Sequence, residues 1–158
     1  MTSQPFQTPL LSPDLRDLGI PEPWSFGLSD RVRFGELDIL AHVNNTAYLR
    51  WFENFRITYF QTYGIADYKG GEVPRIVLRQ IGVDFLAEMT LGEGYIVTGR
   101  TASMRNTSFR MEYAVWADGG IRATGWAILV LLNQQGEKIP LSNEIRETLK
   151  ARDGADEV

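Results

Sequence analysis

The 158-residue chain has no cysteine, which excludes disulfides and thiolate metal sites and fits a reducing cytoplasm. It has a single histidine, His42, so a histidine-rich metal site is excluded and a serine-hydrolase triad has only one place to form. No apolar run approaches the length of a membrane span, so no membrane is expected as a partner. An excess of positive charge is missing too. Lys and Arg total 16 against 20 for Asp and Glu, a net charge of −4, which argues against nucleic acid as the main partner. The N-terminal stretch lacks the basic start and apolar centre of a secretory signal and is too acidic for a transit peptide, so a cytoplasmic location is expected. Internal repeats and low-complexity tracts are absent.

Apolar residues make up 44% of the chain, enough for the core of one ordinary domain. Pro5, Pro9, Pro13, Pro21 and Pro23 mark residues 1–26 as an irregular lead-in. One domain is expected over 27–150, and the acidic stretch 151–158 reads as a disordered tail. Within the domain, "LSDRVRF" alternates as a first strand. Residues 45–63 then give a helix in which Tyr48, Phe52, Phe55, Tyr59 and Tyr63 form a stripe roughly 80° wide. Leu49, Trp51 and Phe60 widen the arc, and Gly64 is placed to end the helix. After it the period changes to two. Strands are expected from 75, over 94–105, over 108–118 and over 121–136, and a short C-terminal helix is expected with Ser142 as its cap. One strand, one long helix and four further strands in antiparallel succession make an α+β domain, with a curved sheet of about five strands wrapped around the helix. The face of the sheet away from the helix would be open to solvent or a partner.

The polar stretch "ELDILAHVNN", residues 36–45, stands directly before that aromatic helix. Together with its surroundings, "RVRFGELDILAHVNNTAYLRWFENFR", it resembles the signature of the hotdog-fold thioesterases of the 4-hydroxybenzoyl-CoA thioesterase type. The likeness continues through the middle and last strands, over residues 27 to 150. The resemblance implies a hydrolase that splits an acyl-CoA thioester into a carboxylic acid and free coenzyme A. It implies no metal and no cofactor, coenzyme A being part of the substrate. It also implies a homodimer or homotetramer whose sites are shared between subunits.

Residue by residue, Asp38 matches the family's catalytic aspartate. Asn45 matches the position whose backbone N–H faces the thioester carbonyl, and His42, Val43 and Asn44 match the loop between them. Thr107 and Ser108 lie at the bend that approaches the neighbouring subunit's site in the family. Arg100, Arg105 and Arg110 are spaced to reach coenzyme A phosphates. Two positions depart from the pattern. Glu36 stands where many members have an aspartate, and Ala41 stands where most have glycine, so a positive φ there would strain it.

The chemistry suits these residue types. A helix N-terminus offers unpaired N–H groups and a partial positive charge for a developing oxyanion. A carboxylate beside it activates water or attacks the carbonyl carbon directly. Each residue also has a plainer reading. Asp38 as a solvated loop carboxylate, His42 as a loop-holding side chain, Asn44 and Asn45 as helix caps, and Thr107 and Ser108 as ordinary turn residues all fit the same pattern. The arginines read equally as surface charge, and Trp51, Trp116 and Trp126 as core rather than tunnel wall. Glu53 is placed to pair with Arg50 or Arg56. Rival functions are hydrolysis of acyl groups on acyl carrier protein and a non-catalytic acyl-CoA-binding module. A dehydratase is disfavoured because no aspartate–histidine pair is evident.

Overall fold

The aromatic stripe folds as its period requires. In the computed structural model, which describes residues 6–69 and 74–158, helix α2 spans Asn45–Thr62. Tyr48, Phe52, Phe55 and Tyr59 are all buried on its inner side, and Tyr63 follows them just past its end. Phe52 stacks on Tyr113 with centroids 4.6 Å apart, and Phe55 meets Phe26 at 5.6 Å. Two glycines in the sheet let the helix come this close. A Cβ at Gly125 would lie 2.8 Å from the Phe52 ring, and one at Gly99 would collide with Phe55.

The sheet runs β1 (Pro9–Leu11), β2 (Phe26–Arg31), β4 (Gly94–Met104), β5 (Ser108–Ala117), β6 (Gly120–Leu132) and β3 (Arg75–Phe85). All these pairings are antiparallel. The five long strands are those expected, with the first displaced toward Phe26. The succession differs in one respect: β3 lies beside β6 instead of β4, and so forms an edge of the sheet.

Both ends of the chain depart from the expectation. The lead-in is not irregular where it is described; residues 1–5 lie outside the described residues. Pro9 opens β1, Pro13 stands in the first turn of helix α1 (Ser12–Asp17), and Pro21 and Pro23 lie in the connection to β2, with which β1 pairs. Leu10, Leu15 and Ile20 pack with Ile96, Ala114 and Trp116 in a second apolar cluster. The face of the sheet away from α2 is therefore partly covered by this chain itself.

The tail is likewise ordered. Helix α3 runs over Asn143–Asp153, with Ser142 Oγ accepting from the Ile145 N–H at 3.2 Å. Gly154 at φ +64° ends it, and β7 (Asp156–Glu157) pairs in parallel with β4. The anchor is Asp153, 6% exposed. Its carboxylate accepts from the Tyr59 and Tyr63 hydroxyls, Ser25 Oγ and the Thr101 N–H. Burial pushes its pKa up, against the pull of those donors. Arg56, expected on the outer face of α2 beside Glu53, is instead buried. Its guanidinium donates to the Tyr113 hydroxyl at 3.3 Å.

Candidate active site

The loop from Glu36 to Asn44 is closed by its own backbone. Leu37 and Val43 form an isolated antiparallel bridge, the Asp38 N–H donates to the His42 carbonyl at 2.8 Å, and the Asn44 N–H donates to the Glu36 carbonyl at 2.7 Å. Val43 is buried and its N–H reaches the Met89 carbonyl at 2.8 Å, which ties the loop to the segment after β3. Asp38 Oδ1 accepts from the N–H groups of Leu40 at 2.9 Å and His42 at 3.3 Å, an Asx-type turn. Among the described residues no donor reaches its Oδ2. Ala41 has φ +59°, so alanine occupies the left-handed conformation that the family's glycine adopts freely.

Asn44 is the N-cap of α2. Its Oδ1 accepts from the Thr46 N–H at 2.9 Å and the Thr46 hydroxyl at 3.0 Å. The Asn45 N–H, one residue earlier than the capped amide, has no acceptor among the described residues. Asp38, His42 and Asn45 line one open cleft of about 280 Å³, together with Tyr48, Phe85 and Glu88. A carboxylate with a free oxygen and a free helix-terminal N–H therefore share one concave site.

His42 has a partner that the sequence did not show. Its Nε2 lies 3.2 Å from Glu88 Oε2. Glu88 is 73% exposed, so the pair is weak and serves to hold the histidine against the cleft wall. Glu88 lies in the segment after β3, and no local pattern marks it. Tyr48 and Phe85 also line the cleft and were legible only as core or strand residues.

Ser108 and Arg105 do not join this cleft within one chain. They line a separate one of about 330 Å³ with Arg79, Ser103 and Arg110. Thr107 sits at the adjoining bend, its carbonyl accepting from the Leu131 N–H at 3.0 Å. Arg110 lies over the Trp126 ring, 4.7 Å from its centroid. Arg100 is engaged elsewhere: it donates to the Asp153 carbonyl at 3.1 Å and pairs with Glu112 at 3.4 Å. Among the described residues no cluster of three or more His, Cys, Asp or Glu side chains is placed to hold a metal ion. No helix among them is long and apolar enough to cross a membrane.

A long helix laid against an antiparallel sheet, with a polar loop leading into its N-terminus, defines a hotdog-fold protein of the thioesterase class. The chain belongs to the thioesterase-like superfamily, whose family model matches residues 32–149. It is similar to a thioesterase-superfamily protein from Jannaschia sp. CCS1, with 46% identity, 97% of this chain and 98% of the other covered, and a TM-score of 0.92. A thioesterase from Thermus thermophilus, solved in complex with coenzyme A and zinc, is 36% identical over 85% of this chain and 98% of its own, with a TM-score of 0.75. The uncharacterized protein YsmA of Bacillus subtilis is 25% identical over 128 residues, 80% of this chain and 86% of its own.

Proposed function

We propose that the protein is an acyl-CoA thioesterase of the 4-hydroxybenzoyl-CoA thioesterase type. The observation that carries this reading is the cleft shared by Asp38 and the unpaired Asn45 N–H. Membership of the thioesterase-like superfamily and the coenzyme A bound to the Thermus relative support it. The thioester carbonyl oxygen points at the Asn45 N–H, where the helix dipole and the free amide stabilise the charge that forms. Asp38 Oδ2 takes a proton from an attacking water, or attacks the carbonyl carbon itself. In the first route a C–O bond forms to water, the C–S bond breaks, and the proton passes to the departing thiolate. The second route reaches the same products through an anhydride that water opens. Asn44 fixes the first turn, and His42 holds the loop through Glu88.

The second cleft supplies the coenzyme site in this reading. Arg105 and Arg110, with Arg79 beside them, face the phosphates, and Thr107 and Ser108 meet the substrate across a subunit interface. The free edge at β3 offers the pairing surface for a homodimer or a tetramer of dimers. Coenzyme A enters as substrate, with no metal or other cofactor, and the reaction takes place in the cytoplasm. The test is thiol release across short, long, branched and aromatic acyl-CoAs. Turnover of at least one is expected. Turnover of acyl carrier protein thioesters alone would move the activity to that carrier. Tight binding without turnover would make the protein an acyl-CoA-binding module.

A further inference from the structure

One wall of the cleft is the segment that follows β3, where Leu86, Ala87 and Glu88 line it. The chain leaves the sheet at this point. The Leu86 and Ala87 N–H groups both donate to the Arg122 carbonyl on β6, at 2.9 and 3.1 Å, and β4 begins only at Gly94. Between these anchors lie the two groups on which the Asp38 loop is docked. They are the Met89 carbonyl, which accepts from the Val43 N–H at 2.8 Å, and the Glu88 carboxylate beside His42. Met89 is fully buried, which fixes how deep the segment sits.

The Arg122 side chain holds the same segment a second time. Its Nη1 donates to the Glu88 carbonyl at 2.6 Å, and its Nη2 lies 3.2 Å from Glu93 Oε1 and 3.7 Å from Asp118 Oδ2. Glu93 in turn accepts from the Thr90 N–H at 2.8 Å through its other oxygen. One cation therefore pins both ends of the 88–93 turn. The Arg122 and Glu93 side chains are only 19% and 21% exposed, so removing one partner leaves the other charge poorly solvated. Among the described residues the backbones of Glu88 and Met89 make two hydrogen bonds, one to Arg122 and one to Val43. Arginine suits this place because its fork meets a carbonyl and a carboxylate at once, which the point charge of lysine does not. Arg122 itself does not line the cleft.

We propose that Arg122 is a positioning residue of the candidate site: its two arms hold segment 88–93, and through the Met89 carbonyl and the Glu88 carboxylate they set the loop that carries Asp38. Every link in this route is a hydrogen bond or ion pair within one chain: Arg122 to Glu88 and Glu93, Met89 to Val43, Glu88 to His42, and the His42 carbonyl and N–H to Asp38. A shift of about 1 Å at reacting groups costs up to about a hundredfold in rate, so a residue outside the cleft governs turnover if it fixes this loop. The effect on turnover rests on the thioesterase reading; the hold on the loop does not.

The test is Arg122→Lys in the full chain, which keeps a charge for Glu93 but gives up the Glu88 carbonyl; Arg122→Ala should show the same effects more strongly. Native-state hydrogen exchange reads the loop directly. The Val43 N–H is expected to exchange about tenfold or more faster than in wild type, while the amides of β5, which report opening of the sheet, keep their rates. On the best acyl-CoA substrate kcat is expected to fall about ten- to a hundredfold, with KM within about threefold. A merely structural arginine predicts that the Val43 and β5 amides accelerate together or not at all, with kcat unchanged below the melting temperature. Either exchange pattern in Arg122→Lys overturns the proposal, and so does faster Val43 exchange with wild-type kcat. If wild type hydrolyses no thioester, the hydrolase reading fails on its own. The exchange of Val43 against β5 then decides Arg122: selective acceleration sustains its hold on the loop, and any other pattern overturns it.

Discussion

Glu36 Oε1 accepts a hydrogen bond from the Trp51 indole N–H at 2.9 Å, which ties the loop before α2 to the second turn of that helix. The other carboxylate oxygen accepts from the Arg33 N–H at 2.9 Å, and the Glu36 carbonyl receives Asn44. The residue that departs from the family pattern is thus the brace of the candidate site. Its removal should loosen the loop as well as the fold. Glu36→Ala leaves a largely buried indole without an acceptor and is expected to cost about 1–3 kcal/mol. Turnover should fall with it, because Asp38 and Asn45 are positioned from this loop. Glu36→Gln keeps one acceptor and should stay close to wild type. Urea unfolding and turnover of both variants check this, and equal behaviour of Ala and Gln would rule the brace out.

Ala41 invites the opposite kind of change. At φ +59° a non-glycine residue bears roughly 1–2 kcal/mol of backbone strain. Ala41→Gly removes it but adds about 0.4–1 kcal/mol of unfolded-state freedom. The expected net effect is stabilisation of about 1 kcal/mol or less, read as a higher urea midpoint at unchanged slope. A lower midpoint would show that the alanine methyl contributes more than its strain costs.

Asp153 makes stability depend on pH in a stated direction. Its carboxyl pKa is raised by burial, so the folded protein holds this proton more tightly than the unfolded chain. The stability linked to it is fully present below the unfolded pKa and is lost as pH rises through the folded one. Wild type should therefore gain on Asp153→Asn as pH falls from 7 toward 4. Melting temperatures of both proteins across that range check the sign, and a fall in the wild-type value relative to the variant's as pH drops would contradict it. Asp153→Ala, which leaves the Tyr59 and Tyr63 hydroxyls and the Thr101 N–H without their acceptor, is expected to cost about 1–3 kcal/mol at pH 7.

The aromatic period of α2 and the alternation in β4 and β5 were legible because each element's burial is written in its own spacing. Asp153 was not. It sits in a polar, acidic stretch, and only the fold brings Ser25, Tyr59, Tyr63 and Thr101 around it. Gly154 carried a signal for the true helix end, which a tail read as disordered concealed. Pro9 and Pro13 mark the starts of β1 and α1, but nothing local says that Leu10, Leu15 and Ile20 land on Ile96 and Trp116. In the candidate site, Asp38, His42 and Asn45 came from one contiguous motif. Phe85 and Glu88 reach the cleft only because β3 ends there.

The mechanism stands or falls on Asp38. Asp38→Asn keeps the Oδ1 that accepts from Leu40 and His42, so the loop should hold its shape. The charge it loses near the helix terminus is worth only about 0.3–1 kcal/mol to folding by the dipole interaction. Substrate binding should largely persist, since the Asn45 N–H is untouched. What disappears is the group that, in the proposed mechanism, removes a proton from water or attacks the carbonyl. For a general base alone the expected fall in kcat is about 10²–10⁴. KM should change far less, because the lost interaction belongs to the transition state. A solvated loop carboxylate predicts a different pattern, with turnover within a few-fold of wild type. Single-substrate kinetics with melting temperature as control separate the two. Near-normal kcat in a well-folded Asp38→Asn protein would take Asp38 out of the reaction and leave the cleft with an oxyanion site but no base.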